Sequence, residues 1–583
     1  MSSKEHSRKY RQTERAKEAA RLRERSPERK AAARERRRKA RSSYTASRPF
    51  VAIDGEGITV DGQHLFILLA ASDGSEIVDT DGLRSLACFE YLMDLKRRNP
   101  DAIFVGFGFG YDVTMIVHQL PREALELLHL QGWTQVGRWL VEYKPGRQFR
   151  LSDRIAGTSI TVWDVRYYWR SSFVKACYAI LGECAEIIEH GKTQRAEFTA
   201  ADLPFMRSYN DAELVYLVRI MEAVRGRLHS VGIKPTRYDG AGSIAACLLN
   251  ANMPREVLEK PPAEVQEKVR QAFFGGRIEC LKYGHTDSEV FVYDMNSAYP
   301  AAMSLLPNWQ GRWEEVTNPR GFRENSLYLI EWDSLLPSQY PQPLPYRRPG
   351  SQGLSFPTSG RGWYWTPEAS MLAGLGIPHK VIKGVEFIPD DPTALPFAWL
   401  QDVYRQRLKL SAAGDPAADL LKLGLAAVWG KLAQQTGWTA EPELKTPRWH
   451  HLASAGLATS HVRAWMMQAS WAFQDHVVAY ETDAIITTAP LPVELSDKLG
   501  GWSLRRYENL TYLGSGLSWA DDESGREWAR TAGVPRGQVN RQLVLEAARR
   551  GESFLPVKMT QFVGLGLASV MEDGWDRFLN WET

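Results

Sequence analysis

A short apolar run at residues 49–53 leads directly into two carboxylates, Asp54 and Glu56. Its length and its Val and Ile content predict a buried β-strand. Side chains two residues apart on a strand leave the same face, so both carboxylates should point to one side of a sheet. The run therefore predicts an α/β domain in which a core strand ends in an acidic pair.

Two more acids follow in this domain, which is predicted over residues 48–228. Asp112 comes after the third predicted strand, and Asp211 is predicted to begin a helix. Carboxylates that converge from strand ends and a helix start can hold two divalent metals that activate water for phosphodiester cleavage. A single acid of this kind is more often a cap or a surface residue, so the prediction rests on the whole set. The other predicted elements are strands over 65–71 and 102–107 and a helix over 211–227.

A second acidic pair is predicted in the other half of the chain. A strand over 290–294 ends in Asp294, and residues 477–488 are predicted to form a β-hairpin with Asp483 near its turn. Two acids on separate strands can clamp two metals around a triphosphate.

Residues 400–435 and 461–473 have helical patterns. Lys422 and Trp429 lie seven residues apart, so a helix would present a cation and a large ring on one face. That face suits a triphosphate and a stacked base, and ordinary helix packing accounts for it equally well. Residues 305–397 are rich in Pro, Gly and Trp and are predicted to be an irregular inserted module.

The composition narrows the class of protein. The chain has 583 residues, 44% of them hydrophobic, so it is too long for one core and too apolar for a disordered protein. No apolar run of about 18 residues and no apolar signal core occur, which argues against a membrane or secreted protein. The five cysteines are scattered and never spaced Cys-x-x-Cys, which disfavours disulfides and zinc. A cytoplasmic protein is expected, in a host cell if the gene is viral or plasmid-borne.

Positive charge is concentrated at the N-terminus. Residues 1–50 carry 18 Lys and Arg against 6 Asp and Glu, a local balance of +12. With almost no large apolar side chains, residues 1–47 are predicted to be a disordered basic arm. A phosphate-binding arm and a solubilising extension both fit this composition.

The order of the motifs resembles family B DNA polymerases, and most closely the protein-primed branch of phages and linear plasmids. The string Asp294-Met-Asn-Ser-Ala-Tyr-Pro300 resembles that family's DxxSLYP motif and is the most specific part of the match, which covers about residues 50–565. The further matching motifs are Asp54-Gly-Glu56, Tyr111-Asp112 and Asn210-Asp211 of the exonuclease, Phe273-Phe-Gly-Gly276 of the YxGG element, Lys422 to Gly430 of the nucleotide-binding helix, Glu481-Thr-Asp483 of the DTDS motif and Leu510-Thr-Tyr512 of the KxY motif.

The resemblance implies an α/β and α+β multidomain fold, in which an RNase H-like exonuclease domain precedes a right-hand polymerase of palm, fingers and thumb. The insertion that this branch uses to grip its terminal protein would cover 305–397. The segment between Lys431 and Ala479 is short for the branch's second insertion, so high processivity is not expected. The other implied ranges are 48–228 for the exonuclease, 229–304 for a linker and the first part of the palm, 398–435 for the fingers, 436–500 for the rest of the palm and 501–583 for the thumb.

The resemblance also implies residue roles. Asp294 and Asp483 would bind the metals of the polymerase, with Glu481 as a further catalytic acid. Tyr299 would exclude a ribose 2′-hydroxyl, and Pro300 is expected to hold it in an extended conformation. The implied exonuclease metal ligands are Asp54, Glu56, Asp112 and Asp211. The implied nucleotide contacts are Lys422, Lys409, Arg405, Trp429, Ser297 and Ala298, and the implied DNA contacts are Gly275, Gly276, Tyr512, Ser172 and Phe173.

Several positions depart from the family pattern. Arg207 stands where the third exonuclease motif has a tyrosine, four residues before Asp211, although Tyr209 is nearby. Glu481 replaces the first acid of DTDS, and its extra methylene shifts the carboxylate by roughly 1.5 Å. The remaining departures are Phe107-Gly108 without the usual Asn, Ala426-Ala427 for Asn-Ser, Trp429 for Tyr, Ala484 for Ser and Leu510 for Lys.

The predicted function is template-directed DNA polymerisation with 3′–5′ proofreading, primed by a terminal protein. The implied partners are a DNA template and primer and dNTPs, with no membrane, and the implied cofactors are two Mg²⁺ or Mn²⁺ ions per active site. Two alternatives stay open: a DNA exonuclease whose palm polymerises poorly, and a non-catalytic DNA-binding replication protein. An inactive relic is disfavoured, because all four exonuclease acids and both palm aspartates are present.

Overall fold

The structure is a computed structural model of the chain, and it divides into two compact units. The first unit comprises the residues up to 119 together with 135–243, and the second comprises 120–134 and 244–583. The predicted basic arm over 1–47 lies outside the described residues, as does much of the predicted thumb beyond 550. The described residues are 48–169, 171–195, 197–348, 353–434, 447–531, 539–550, 554–557 and 575–578.

A mixed sheet forms the core of the first unit. Its strand order is β3-β2-β1-β4-β8-β7-β6, with β1 antiparallel to β2 and parallel to β4. The predicted strands over 49–54, 65–71 and 102–107 correspond to β1, β2 and β4, and β5 crosses the boundary between the units. The strands are β1 (Phe50–Val60), β2 (Gln63–Ala71), β3 (Glu76–Val78), β4 (Ile103–Gly106), β5 (Trp133–Val136), β6 (Trp139–Lys144), β7 (Gln148–Asp153) and β8 (Thr158–Asp164).

Helices cover this sheet, and the longest of them, α6, contacts β1. The prediction that Asp211 begins this helix is wrong, because the helix starts at Leu203 with Pro204 in its first turn, where a missing N–H costs little. The helices up to residue 252 are α1 (Ser85–Arg98), α2 (Gly110–Val117), α3 (Arg122–Gln131, in the second unit), α4 (Phe173–Leu181), α5 (Glu186–Gln194), α6 (Leu203–Ser230) and α7 (Ala241–Asn252, across the boundary).

An antiparallel sheet forms the core of the second unit. Its order is β20-β19-β18-β11-β17-β16-β9, and β10 pairs with β18. The predicted strand over 290–294 is β11, and the predicted hairpin over 477–488 is β16 with β17. The strands are β9 (Arg277–Cys280), β10 (Gly284–Thr286), β11 (Val290–Met295), β16 (Val477–Thr482), β17 (Ala484–Thr487), β18 (Trp502–Gly514), β19 (Leu517–Asp522) and β20 (Glu527–Thr531).

The module over 305–397 is regular, so the prediction of an irregular module is wrong. It forms a four-stranded antiparallel sheet with the order β12-β15-β13-β14. Buried residues alternate along one strand as Tyr328, Ile330 and Trp332, which is the pattern of a sheet with one covered face. The strands are β12 (Gly311–Thr317), β13 (Leu327–Asp333), β14 (Ser359–Trp365) and β15 (His379–Pro389).

The predicted helical stretches over 400–435 and 461–473 are found, the first of them as two helices. Within the described part of the chain, every helix falls short of the length and apolarity that a bilayer crossing requires. The remaining helices are α8 (Ala263–Gln271), α9 (Ala298–Ser304), α10 (Thr366–Gly374), α11 (Trp399–Ala412), α12 (Ala417–Ala433), α13 (Leu452–Ser470) and α14 (Arg541–Arg549), and a final pair of strands is β21 (Phe554–Val557) with β22 (Trp575–Phe578).

Candidate active sites

Three carboxylates meet in the first unit. Asp54 and Glu56 come from β1, and Glu213 comes from α6; one oxygen of each lies within 4.8 Å of an oxygen of the others. Burial, together with the charge of Glu213, raises the pKa of Glu56 to about 8. Burial and the neighbouring acids also raise the pKa of Asp54 well above its ordinary value. So close a set of buried acids is costly unless cations or protons neutralise it.

Asp211 is not part of this cluster, which corrects the predicted ligand set. Its side chain is exposed, whereas Glu213 is only 4% exposed. Two residues along a helix turn its face by about 200°, so Asp211 and Glu213 cannot face β1 together. Tyr209 precedes Glu213 by four residues and is fully buried. Tyr209 and Glu213 thus have the four-residue spacing that was expected between the tyrosine and the acid of the third exonuclease motif, and both are buried, unlike Asp211.

Lys192 on α5 is a second functional candidate that the sequence did not single out. Its Nζ lies 2.6 Å from Oε1 of Glu213. Although burial lowers the pKa of Lys192, the charges of Glu213 and Asp54 raise it above the ordinary value, so the ammonium stays charged. The Asn210 amide also donates to Oδ2 of Asp54 over 3.2 Å. The lysine and the amide orient the carboxylates of the cluster.

Asp112 lies where it was predicted, in the first turn of α2 after β4. It is 2% exposed, and burial raises the pKa of its carboxyl to about 7. Its Oδ1 is buried and accepts no hydrogen bond from the described residues. The charge of Asp112 also raises the pKa of Asp54, which places the two acids in one electrostatic cluster.

The two predicted DNA contacts of this unit differ in exposure. Ser172 is exposed and caps α4, since its hydroxyl accepts a hydrogen bond from the Lys175 N–H. Phe173 is only 5% exposed, and its ring packs edge-on against Phe107 with the centroids 5.1 Å apart. Phe173 is therefore a core residue in this structure and does not offer its ring to solvent.

Asp294 and Asp483 lie side by side in the second unit. Asp294 is on the central strand β11, opposite Ala484 of β17, and the Met295 N–H donates to the Asp483 carbonyl over 3.0 Å. Burial and the charge of Asp294 raise the pKa of Asp483 to about 6. Burial raises the pKa of Asp294 as well. The tight turn between β16 and β17, in which Thr482 has a φ of 66°, brings Asp483 to this position.

Glu481, the third predicted acid of the polymerase site, is buried and has partners of its own. The Tyr512 hydroxyl donates to Oε1 over 2.9 Å, and the Arg530 guanidinium pairs with Oε2. Tyr512 was predicted to contact DNA, but its side chain is 1% exposed and its hydroxyl is used on Glu481. Leu510 is buried in an apolar cluster beside it.

Tyr299 lies beside these acids in a helical conformation. It belongs to α9, whose first turn also holds Pro300, so the expectation of an extended Tyr299 is wrong. Its ring packs against Trp429 of α12 with centroids 5.2 Å apart. Its hydroxyl lies against Gly276, where a Cβ would overlap the oxygen. The structure thus brings together the predicted nucleotide residues Tyr299 and Trp429 and one glycine of the YxGG element.

The other residues that were predicted to contact the nucleotide differ in how they are placed relative to Asp294 and Asp483. Burial raises the pKa of Asp294, and the charges of Arg505 and Lys422 partly offset that rise, so Lys422 lies near enough to act on this acid. Arg405 pairs with Asp402 on its own helix and lines a cavity of about 1020 Å³ that neither Asp294 nor Asp483 borders. Lys409 is exposed on the same helix. Ser297 precedes α9 with a φ of 51°, and Ala298 is fully buried, so Ala298 shapes the core.

A buried ion pair, absent from the sequence predictions, holds the YxGG element. Arg463 of α13 pairs with Glu368 of α10, with Nε 2.8 Å from Oε1. The same guanidinium donates to the carbonyls of Phe274 and Gly275 over 2.9 and 2.6 Å. No short-range sequence signal marks a pair that is 95 residues apart, and only the fold brings these charges together.

The fold of the chain is shared with solved DNA polymerase structures. The fold aligns with Phi29 DNA polymerase complexed with single-stranded DNA at a TM-score of 0.64 and 14% identity, over 91% of this chain and 100% of that one. Phi29 DNA polymerase complexed with primer-template DNA and incoming nucleotides aligns at 0.58 and 14% identity, over 89% and 97% of the chains.

Residues 217–442 match the family described as DNA polymerase type B, organellar and viral. Over 173 residues the chain is 27% identical to the DNA-directed DNA polymerase of Enterobacteria phage PRD1, covering 29% of each chain. Over 246 residues it is 26% identical to the primer-independent DNA polymerase PolB of Escherichia coli, covering 38% of this chain and 28% of that protein. The chain thus matches less than a third of the length of either relative.

Proposed function

We propose that this protein is a template-directed DNA polymerase with a 3′–5′ exonuclease. The observation that carries the proposal is the pair Asp294, on strand β11, and Asp483, in the turn that leads into the adjacent strand β17, with Lys422 and the packed rings of Tyr299 and Trp429 near them. Two acids, one cation and a flat apolar wall are what a deoxynucleoside triphosphate requires: metal ligands, charge for its phosphates and a surface for its sugar.

The acids of the polymerase site fit a divalent metal. They are hard oxygen donors, and the charge of Asp294 raises the cost of ionising Asp483 when no cation is near. We assign Asp294 and Asp483 as the residues that would hold Mg²⁺ or Mn²⁺. Bound there, two such ions would polarise the α-phosphate and stabilise the leaving oxygen. Lys422 would hold the outer phosphates as a point charge, and Tyr299 would close the space beside the sugar.

The exonuclease site also fits divalent metal. Asp54, Glu56 and Glu213 converge within 4.8 Å, and the unpartnered Oδ1 of Asp112 is a fourth oxygen donor. We propose these four as the ligands, in place of the set that included Asp211. Lys192 would orient Glu213 and offset one of the four negative charges.

The remaining proposals concern partners, domains and location. The partners would be a DNA template, a primer strand and dNTPs, and the organised sheet over 305–397 would receive a terminal protein that supplies the priming hydroxyl. We keep the domain ranges inferred from the motifs, except that the exonuclease would continue to residue 230, where α6 ends. The protein would act in the cytoplasm of its host cell.

The test is single-nucleotide incorporation on four primed templates that differ only in the templating base. Each template should direct its complementary dNTP in Mg²⁺, and chelation should stop the reaction. Extension that ignores the template base, or no extension in either Mg²⁺ or Mn²⁺, would leave the exonuclease as the protein's activity.

A further inference from the structure

Glu481 is the least expected acid of the polymerase site, because a longer side chain stands where the family has Asp. Glu481 is only 9% exposed, and both oxygens of its carboxylate contact other side chains. Tyr512 donates to Oε1 over 2.9 Å, and Arg530 forms an ion pair with Oε2. The carboxylate is thus already neutralised by protein groups.

Strand register explains why the two partners of Glu481, which come from different strands, lie on one face of the sheet. Arg530 of β20 lies opposite Ser518 of β19, which lies opposite Tyr512 of β18. Opposed residues of an antiparallel sheet project from the same face. The cation and the hydroxyl therefore leave one face of the sheet together.

The same register places Glu481 close to the metal-binding acids. Asp294 lies opposite Ala484, and Ala484 lies opposite Glu481. Two strand spacings separate the backbones of Asp294 and Glu481, which is roughly 10 Å. An ionised Glu481 without a partner would add a buried negative charge at this distance and would oppose the approach of a triphosphate.

Arg530 is the cation that neutralises the charge of Glu481. Burial raises the pKa of Asp294, and the charge of Arg530, with those of Arg505 and Lys422, partly offsets that rise. Leu510, at the lysine position of the KxY motif, is 4% exposed in an apolar cluster and offers no charge. The guanidinium is 45% exposed, so it reaches the carboxylate from the solvent side.

We propose that Arg530 is a positioning residue of the nucleotidyl-transfer site, which neutralises Glu481 and leaves Asp294 and Asp483 as the acids that bind metal. The inference rests on the proposed polymerase function. It predicts that Arg530 acts through Glu481. Removing the charge of Glu481 should therefore restore the activity that is lost when Arg530 is replaced.

The experiment is a double-mutant cycle with Arg530→Gln, Glu481→Gln and the combined variant, measured by single-nucleotide incorporation across a Mg²⁺ titration. Arg530→Gln should lower kcat/KM for the dNTP by about 10- to 100-fold and shift the Mg²⁺ midpoint upward, because an uncompensated charge remains. The combined variant should recover to within about threefold of Glu481→Gln, and Arg530→Lys should keep most of the activity. Arg526→Gln is the matched control, since Arg526 lies in the same hairpin, is 83% exposed and pairs only with Asp522 in the described residues.

A combined variant as impaired as Arg530→Gln would overturn the proposal, because Arg530 would then act on DNA or on the fold directly. Wild-type activity in Arg530→Gln would overturn it as well. If the wild-type chain extends no primer, the proposed function fails. The thermal-unfolding cycle of the same four proteins then still tests whether Arg530 and Glu481 are coupled. Additive shifts in Tm would show that the two residues are not coupled and would contradict it.

Discussion

Nζ of Lys192 lies 2.6 Å from Oε1 of Glu213, which belongs to the cluster of acids contributed by β1 and α6. The pair identifies Glu213 as the acid of α6 that faces the cluster. We therefore expect Glu213→Gln to lower exonuclease activity on single-stranded DNA by at least about 100-fold, because it removes a metal ligand.

Asp211→Asn is the matched control for that variant. It changes a neighbouring acid on the exposed side of the same helix, so its exonuclease rate should stay within about twofold of wild type. Equal losses in both variants, or a loss in Asp211→Asn alone, would show that the helix presents its other face to the metals.

The pKa values of the cluster predict how stability depends on pH when metal is removed. Glu56 and Asp112 have pKa values of about 8 and 7 in the folded protein, against about 4 in an unfolded chain. Between these values the folded state binds more protons than the unfolded state, so stability falls as pH rises from about 4 to about 8. Thermal unfolding in chelator should show this fall, and Mg²⁺ should reduce it.

Glu56→Gln provides the control for the pH prediction. The amide cannot ionise, so its melting temperature in chelator should depend less on pH than that of wild type. A slope that is unchanged by the substitution, or wild-type stability that rises over this pH range, would contradict the assigned cause.

Gly276 is expected to tolerate no side chain. A Cβ there would overlap the Tyr299 hydroxyl and lie 2.7 Å from Cγ2 of Thr482. Gly276→Ala should therefore destabilise the fold by about 1–3 kcal/mol. Gly275→Ala is the control, because a Cβ at Gly275 meets no atom within 4 Å among the described residues. Chemical denaturation of both variants checks the prediction, and equal stability would refute the overlap.

Tyr299 is expected to select the sugar of the incoming nucleotide. Its ring lies against Trp429 and its hydroxyl against Gly276, so we expect the fixed ring to block the space that a ribose 2′-hydroxyl would need. Tyr299→Val should raise the incorporation of ribonucleotides relative to deoxynucleotides by about 100-fold or more. Single insertions of both substrates measure the ratio, and an unchanged ratio in an active variant would remove the role from Tyr299.

Short-range sequence patterns predicted those acids of the two sites that lie on β-strands. Asp54 and Asp294 each end an apolar run, and strand periodicity settles the direction of such side chains. Glu213 was missed because the side that a helical residue faces depends on the helix phase, and the helix begins eight residues before the expected start.

Other features depend on contacts that no local pattern encodes. Arg530 meets Glu481, and Arg463 meets Gly275, only because the fold brings together segments that are far apart in the sequence. The sheet over 305–397 was hidden because its prolines and glycines dominate the composition, although its strands carry the buried aromatic residues.

The central claim is that one chain has a polymerase site and a separate exonuclease site, and two substitutions in the same pair of assays test it most directly. Asp294→Asn should lose at least about 1000-fold in primer extension and keep its exonuclease rate on single-stranded DNA, whereas Asp54→Asn should do the reverse. If Asp294→Asn extends primers at the wild-type rate, or if either variant loses both activities while remaining folded, the assignment of two independent sites is contradicted.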